Sequence, residues 1–259
     1  MTSYEPRLIG FLCNCCGYAV ADLAGISRIQ YPPNIRFLRL MCCRRLDPSL
    51  VLGILSEGID GVMITTCSLG GCNFIRNHEQ VEKKFLFTKR LLEKAGFEPE
   101  RVTLEYLFAS EGRKFADQVD KFIERVRGLG PSPLSGDSPD QDLLLNLRAA
   151  KAVAENYRMR ALVGKEEKLV KEGNIYGEPV TQEELDTVMD DAVENEYVHQ
   201  KIRLTLLEEP ASVKKLSEKL DIDSNKVLEH IVAMRQLGWV DVKEILGSSP
   251  IYVAQEVPE

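Results

Sequence analysis

The fold is decided by the stretch Gly61-Val62-Met63-Ile64-Thr65-Thr66-Cys67-Ser68-Leu69-Gly70-Gly71-Cys72. The residues before Cys67 are mostly apolar or β-branched, which is typical of a strand buried on both faces. The glycines after the strand let the backbone turn sharply and bring Cys72 near Cys67. The stretch therefore predicts a central strand that ends in one thiol, followed by a loop that returns a second thiol to the same place.

Two further apolar strands upstream also end in cysteine. Leu8–Leu12 leads into Cys13-Asn14-Cys15-Cys16, and Ile35–Met41 leads into Cys42-Cys43, so all 7 cysteines of the chain lie at three strand ends. An odd number of cysteines crowded into the first third of the chain is a poor disulfide framework. The pattern indicates a metal or redox site, because buried thiols without a function would not cluster so regularly.

The first half of the chain alternates strands and helices. After the three strands that end in cysteine, Val102–Leu107 is a fourth, and an amphipathic helix follows each strand. Repeated units of this kind predict an α/β fold with a parallel sheet covered by helices on both faces. Right-handed crossovers favour the flavodoxin-like order, in which strand 1 lies between strands 2 and 3. The three cysteine-bearing ends would then meet at the sheet edge where ligands bind in such folds.

The second half of the chain has a different composition. Residues 131–141 are rich in Pro, Ser, Gly and Asp and predict a linker after an α/β domain of residues 1–130. Residues 142–195 predict a helical connector, in which residues 142–169 form one helical stretch and Thr181 with Glu184 forms a capping box. Residues 196–259 resemble a winged helix: three helices precede a hairpin of Gly238–Lys243 and Ile251–Val253.

Composition limits the function classes. The chain has 259 residues, a net charge of −7 and a sequence pI of about 5.3. This balance argues against a general binder of nucleic acids or membrane surfaces, which normally presents a basic patch. No signal peptide precedes the first strand, and no apolar run approaches the roughly 20 residues of a membrane span. We therefore expect a cytoplasmic protein.

The cysteine spacings leave three kinds of site open. Cys13-x-x-Cys16, then Cys42 or Cys43, then Cys67-x-x-x-x-Cys72 can supply four thiolates to an iron–sulfur cluster or to a structural zinc ion. Cys13-x-x-Cys16 before a helix also resembles a dithiol redox pair. Iron–sulfur is favoured, because structural zinc usually supports small domains that lack a core. A Rieske-type site needs two histidines, and His78 is the only one in this half.

Several motifs together resemble one known family. They are Cys13–Ala19 with Ala21–Gly25, Tyr31–Arg36 leading to Met41-Cys42, Gly58–Val62 leading to Cys67 and Cys72, and Ala109–Ala116. Over about residues 7–128 the chain resembles the delta-subunit family of methyl-viologen-reducing hydrogenase. The resemblance implies a 2Fe–2S cluster that passes electrons between a hydrogenase or formate dehydrogenase and a flavin-containing, heterodisulfide-reductase-A-like protein. Related proteins occur in other electron-bifurcating complexes, including those around class II benzoyl-CoA reductase.

The resemblance also implies the ligands. The family pattern maps onto five cysteines, of which four would bind the cluster: Cys13, Cys16, Cys42, Cys67 and Cys72. This chain departs from the pattern, since Cys15 replaces a usual Trp, Leu69 replaces a common proline, and Cys43 and Ile59 stand where small residues are usual. Cys43 could therefore replace Cys42 as a ligand.

Two functions from different classes follow. The first is a non-catalytic electron-transfer subunit, because no catalytic acid–base pair, phosphate loop or nucleotide fingerprint is visible. The alternative is a redox- or metal-sensing transcription regulator that reads DNA through helix Ser224–Arg235. Residues 196–259 hold about 8 basic and about 11 acidic residues, so protein contact is favoured over DNA. His199, His230 and Trp239 are expected to be surface or core residues rather than ligands.

Overall fold

The first half of the chain forms a four-stranded parallel sheet. The structure, a computed structural model, describes residues 4–72, 77–136 and 138–255. The strands are β1 (Leu8–Cys13), β2 (Ile35–Leu40), β3 (Gly61–Cys67) and β4 (Val102–Leu107), in the order β2-β1-β3-β4. The α/β class and the position of strand 1 between strands 2 and 3 are confirmed. Every residue of β3 is buried, as its apolar composition predicts.

Helices cover both faces of this sheet. They are α1 (Gly17–Ile26), α2 (Pro48–Ser56), α3 (Asn77–Ala95), α4 (Gly112–Leu129) and α5 (Gln141–Glu155). Helix α1 packs on α4, and α2 packs on α3. The apolar positions predicted to face inward on α4 are all buried: Phe115, Val119, Phe122, Ile123 and Val126. Together with β1 and β3 they form a continuous core directly beneath the cysteine-bearing edge.

The chain divides into two compact units, Met1–Ala154 and Glu155–Glu259. Residues 131–136, predicted as part of a linker, lie in the first unit. Ser132 and Leu134 are buried there, and the Ser132 N–H donates a hydrogen bond to Asp60 Oδ1 at 2.7 Å. Helix α5 also lies mostly in the first unit, and Asn146 Nδ2 donates to Ala95 O at 3.3 Å.

The second unit contains four helices and a hairpin. Its elements are α6 (Tyr157–Glu172), α7 (Gln182–Glu208), α8 (Val213–Leu220), α9 (Ser224–Gln236), β5 (Val240–Leu246) and β6 (Ser249–Ala254). The prediction of one helical stretch over residues 142–169 is wrong, because Asn156 ends α5 and begins α6. Its side chain accepts hydrogen bonds from the N–H groups of Arg158 and Met159. The predicted capping box of Thr181 and Glu184 at the start of α7 is confirmed.

The hairpin at the end of the chain is longer than predicted. Strands β5 and β6 pair antiparallel, and Leu246 lies opposite Ser249, so only Gly247 and Ser248 form the turn. Ala211, between α7 and α8, pairs with Tyr252 of β6 in an additional antiparallel bridge. Over the described ranges, no helix combines the length and apolar character needed to cross a membrane.

Candidate metal centre

The carboxyl ends of β1 and β3 bring two buried thiols together. The strands are neighbours in parallel register, with Leu12 opposite Thr65, so their last residues lie side by side. Cys13 Sγ and Cys67 Sγ are 3.5 Å apart and both residues are buried. All 7 cysteines of the chain are free thiols. Two cysteines 54 positions apart in sequence thus meet where the strand order predicts.

The sulfur separation suits two ligands of one metal centre. Thiolates bound to one tetrahedral metal at about 2.3 Å lie about 3.8 Å from each other, close to the observed distance. A disulfide would bring the sulfurs to about 2.05 Å, far shorter than they are here. An all-sulfur donor set is the kind that soft metals and iron–sulfur clusters prefer. The residues present therefore fit such a group.

The turn after β1 depends on Gly17. Its N–H donates a hydrogen bond to Cys13 Sγ at 3.1 Å. A Cβ atom on Gly17 would lie 2.8 Å from the Thr65 carbonyl oxygen and 3.4 Å from Cys13 Sγ, so a larger residue has no room. Cys16 is the residue before the first turn of α1, and its thiol donates to the Gly71 carbonyl at 3.5 Å. The ligand analysis missed the role of Gly17, although its position directly after Cys13-x-x-Cys16 signals it.

The β2 end contributes two cysteines with different surroundings. Cys43 begins the 3₁₀ turn Cys43–Arg45, is 1% exposed, and donates its thiol hydrogen to Thr65 O at 3.3 Å. Cys42, the residue before the turn, is half-buried. The structure thus places Cys43 deeper than Cys42, against the sulfur of Cys13.

Cys15 and Cys72 are half-buried at the same edge. Burial raises the pKa of the Cys15 thiol, and the nearby thiols of Cys13, Cys16, Cys42 and Cys72 add to this shift. All seven cysteines therefore share one electrostatic neighbourhood.

Hydrogen bonding separates the titration of the three most buried thiols. The pKa of Cys13 is lowered because Cys43 and Cys67 donate hydrogen bonds to its sulfur, and the Gly17 N–H adds to the effect. The pKa of Cys43 and that of Cys67 are raised, because both donate to Cys13 and both lose hydration on burial. The thiolate is the form that binds metals, so Cys13 is the thiol best prepared to act as a ligand.

The structure does not assemble a complete ligand set. Within residues 4–72, 77–136 and 138–255, no group of three or more His, Cys, Asp or Glu side chains is arranged to hold a metal ion. Cys13, Cys67, Cys16 and Cys43 are linked by sulfur contacts. Cys42 and Cys72 lie nearby at the more exposed rim.

The two histidines of the second unit form a separate aromatic contact. The rings of His199 on α7 and His230 on α9 meet edge to face at 4.9 Å, and Trp239 lies 6.1 Å from His199. Burial lowers the pKa of His199 to about 4, and His230 and Arg158 lower it further through their charge. The pKa of His230 is also lowered by burial. This packing agrees with the expectation that these residues are not ligands.

A family model matches the cysteine-bearing half of the chain. The model is described as methyl-viologen-reducing hydrogenase, delta subunit, and the match covers residues 8–130. This range contains all four strands of the parallel sheet and all seven cysteines. It leaves out α5 and the whole second unit.

Curated relatives match the same half. The iron–sulfur subunit of the F420-non-reducing hydrogenase vhc of Methanococcus voltae is 39% identical over 51% of this chain and 92% of its own length. The iron–sulfur subunit of the F420-non-reducing hydrogenase of Archaeoglobus profundus is 38% identical over 49% of this chain and 93% of its own. One subunit of the ferredoxin/F420H2-dependent CoB–CoM heterodisulfide reductase of Methanosarcina acetivorans is 37% identical over 49% of this chain, which spans only 16% of that protein.

Proposed function

Because the chain belongs to the delta-subunit family of methyl-viologen-reducing hydrogenase, we propose that it is a non-catalytic electron-transfer subunit. The observation that carries the proposal is the meeting of free thiols at adjacent strand ends, with Cys13 and Cys67 3.5 Å apart. Relatives named as iron–sulfur subunits support an iron–sulfur cofactor at this edge.

The proposed cofactor is a 2Fe–2S cluster held by four of five cysteines: Cys13, Cys16, Cys42, Cys67 and Cys72. Cys43 is a substitute for Cys42, because its thiol is buried against Cys13. When bound, such a cluster takes up and returns one electron at a time. The chain would exclude water from the inner sulfurs by burial, and the Gly17 N–H would stabilise negative charge on Cys13 Sγ.

The proposed partners follow from the two kinds of relative. The matching segment is a separate hydrogenase subunit in one kind, whereas in the other it is a small part of a much longer heterodisulfide reductase protein. We propose that this chain relays electrons between a redox enzyme and a heterodisulfide-reductase-A-like flavoprotein, within a larger, electron-bifurcating complex in the cytoplasm. The enzyme would be of the hydrogenase, formate dehydrogenase or benzoyl-CoA reductase type.

The second half is proposed to dock this carrier to its complex. In this proposal residues 1–130 are the iron–sulfur domain, residues 131–141 the linker, residues 142–195 the connector and residues 196–259 a winged helix. The order α7, α8, α9, β5, β6 and the bridge between Ala211 and Tyr252 support the winged helix. Its excess of acidic residues favours a protein surface over DNA as the partner.

A reductive titration tests the electron-carrier proposal. The anaerobically purified protein is titrated with dithionite and reoxidised, while absorbance and free thiols are followed. We expect one electron taken up and returned per chain, with the thiol count unchanged. Uptake of two electrons with the appearance of two new thiols would instead identify a disulfide redox pair.

The transcription-regulator alternative has one observation in its favour, the helices followed by a hairpin in the second unit. Fluorescence anisotropy with a mixed-sequence DNA duplex, read at low and physiological salt, distinguishes the two functions. The electron-carrier proposal predicts no binding at physiological salt. Submicromolar, redox-dependent binding there would favour the regulator.

A further inference from the structure

One segment of the first unit has a charge opposite to that of the whole chain. Residues 23–46 contain five arginines and no acidic residue, although the chain as a whole has a net charge of −7. Four of these arginines follow β2 toward the cysteine-bearing edge, and all are exposed: Arg36, Arg39, Arg44 and Arg45. We call these four residues the arginine strip.

The arginine strip is not neutralised within the part of the chain that the structure describes. Arg39 Nε donates a hydrogen bond to the neutral Asn14 Oδ1 at 2.6 Å, and its guanidinium lies 4.4 Å from the centre of the Tyr18 ring. No carboxylate among the described residues forms an ion pair with the strip. Elsewhere, buried Arg101 and half-exposed Arg127 both pair with glutamates. The charge of the strip is therefore available to another molecule.

Apolar side chains are exposed beside the strip. Strand β2 is an edge strand that pairs only with β1. Leu38 on this strand is 49% exposed and Met41 directly after it is 69% exposed. An open groove beside the strand is lined by Ile9, Leu38 and Ile59 together with Arg36. Large exposed apolar side chains next to cations are typical of a protein-binding surface.

The same surface continues to the proposed cluster. Strand β2 ends one residue before Met41, and Cys42 and Cys43 follow at once. Leu69 and Phe108, in the loops after β3 and β4, are also exposed at this edge. A protein that exchanges electrons with the cysteine site must approach this edge, so it would contact the strip first.

We propose that the arginine strip, with Leu38 and Met41, is the docking surface for an acidic face of a redox partner protein. The proposal rests on the proposed function, and it adds the surface and the charge of the partner. Carboxylates of the partner would pair with the guanidinium groups, which bind carboxylates in a two-pronged geometry. Complementary charge would also speed the encounter, by roughly 10- to 1000-fold at low ionic strength.

Two small redox proteins of opposite charge serve as probes. Acidic plastocyanin and basic cytochrome c are each titrated into the full-length protein by calorimetry at low and at physiological ionic strength. The oxidation of the dithionite-reduced protein by each probe is then followed by stopped flow. The test variant is R44E/R45E, and the matched control is K121E/R125E, which reverses two exposed charges on α4 and alters the net charge equally.

We expect plastocyanin to bind and to oxidise the protein faster than cytochrome c does, with both advantages falling as salt rises. R44E/R45E should lose at least about tenfold in plastocyanin affinity and rate, whereas K121E/R125E should change either by less than about twofold. Equal losses in the two variants, or self-association in place of plastocyanin binding, would overturn the docking surface. Plastocyanin binding without any dithionite-reducible signal would overturn the electron-carrier function and leave the docking surface supported.

Discussion

Single residues at the carboxyl edge of the sheet determine how the thiols can act. Cys13 is buried, accepts a hydrogen bond from the Gly17 N–H, and contacts the sulfurs of Cys43 and Cys67. Cys15, only two positions later, lies at a more exposed rim. The pair therefore provides matched cysteines with different expected roles in one loop.

Replacing Cys13 by serine should abolish the cofactor, because it removes the most buried sulfur and the one best held as a thiolate. We expect C13S to lose nearly all of its iron and acid-labile sulfide after anaerobic purification. The control C15S should retain both at wild-type stoichiometry. Full iron content in C13S, measured on folded protein, would remove Cys13 from the ligand set.

Gly17 and Gly25 lie in the same helix and allow a matched test of packing. G17A places a methyl group 2.8 Å from the Thr65 carbonyl, whereas Gly25 has no atom within 4 Å of its added Cβ. G17A should lower the free energy of unfolding by about 1–3 kcal/mol. G25A should raise it by about 0.5–1 kcal/mol, because alanine favours the helix.

Urea unfolding of both glycine variants, followed by circular dichroism, measures the difference. A G17A protein as stable as the wild type would mean that the turn after β1 is looser than the structure describes.

At the scale of elements, the sequence predicts the sheet better than the helices beyond it. The strand order and the buried face of α4 follow from period and chirality, which act locally or at every crossover. The break at Asn156 was missed, because a single N-cap side chain inside a long helical pattern gives a weak signal. Likewise, the composition of residues 131–136 suggests a linker, but Ser132 and Leu134 pack against the first unit.

The candidate site shows the same division. The meeting of Cys13 and Cys67 follows from the strand order, but the depth of Cys43 relative to Cys42 does not. That depth depends on a 3₁₀ turn that directs Cys43 toward the Thr65 carbonyl. A turn of three residues leaves no periodic pattern in the sequence.

The contact between α7 and α9 predicts a pH dependence. The pKa of His199 is about 4 in the folded protein, below the usual value of about 6.5. The unfolded chain therefore binds more protons between these values, so stability is full above about pH 6.5 and falls as the pH drops toward 4. His230, Arg158 and the Glu196 carboxylate at 4.0 Å face the same ring.

Urea unfolding of wild type and H199Q at pH 7 and pH 5 measures this effect. Fluorescence of Trp239, the single tryptophan, reports on the second unit because it lies beside His199. The wild type should lose about 2 kcal/mol more than H199Q between the two pH values. Identical losses in both proteins would show that His199 does not titrate on unfolding.

At the scale of the whole molecule, charge differs between the two units. Residues 1–154 contain 20 basic and 18 acidic residues, whereas residues 155–259 contain 13 and 22. The negative charge of the chain therefore comes entirely from the second unit. The unit with the cysteines is slightly positive, which agrees with a docking surface for an acidic partner.

The two compact units predict where the chain can be cut. A fragment of residues 1–154 should retain iron and sulfide at full stoichiometry, because every cysteine and the complete first unit are present. A fragment of residues 1–130 should be less stable, since it lacks the Ser132 hydrogen bond to Asp60 and the buried Leu134. Iron content and thermal midpoints of both fragments measure this. Equal midpoints would place the boundary at residue 130 instead.

The central claim is that the cysteine edge of the sheet holds a one-electron 2Fe–2S cluster. The most direct measurement is anaerobic purification of the full-length protein, followed by iron, sulfide and zinc analysis and EPR of the dithionite-reduced sample. The account predicts about two irons and two sulfides per chain and a one-electron paramagnetic signal on reduction. Stoichiometric zinc without sulfide, and no signal, would contradict it and assign the same thiols to a structural or sensing site.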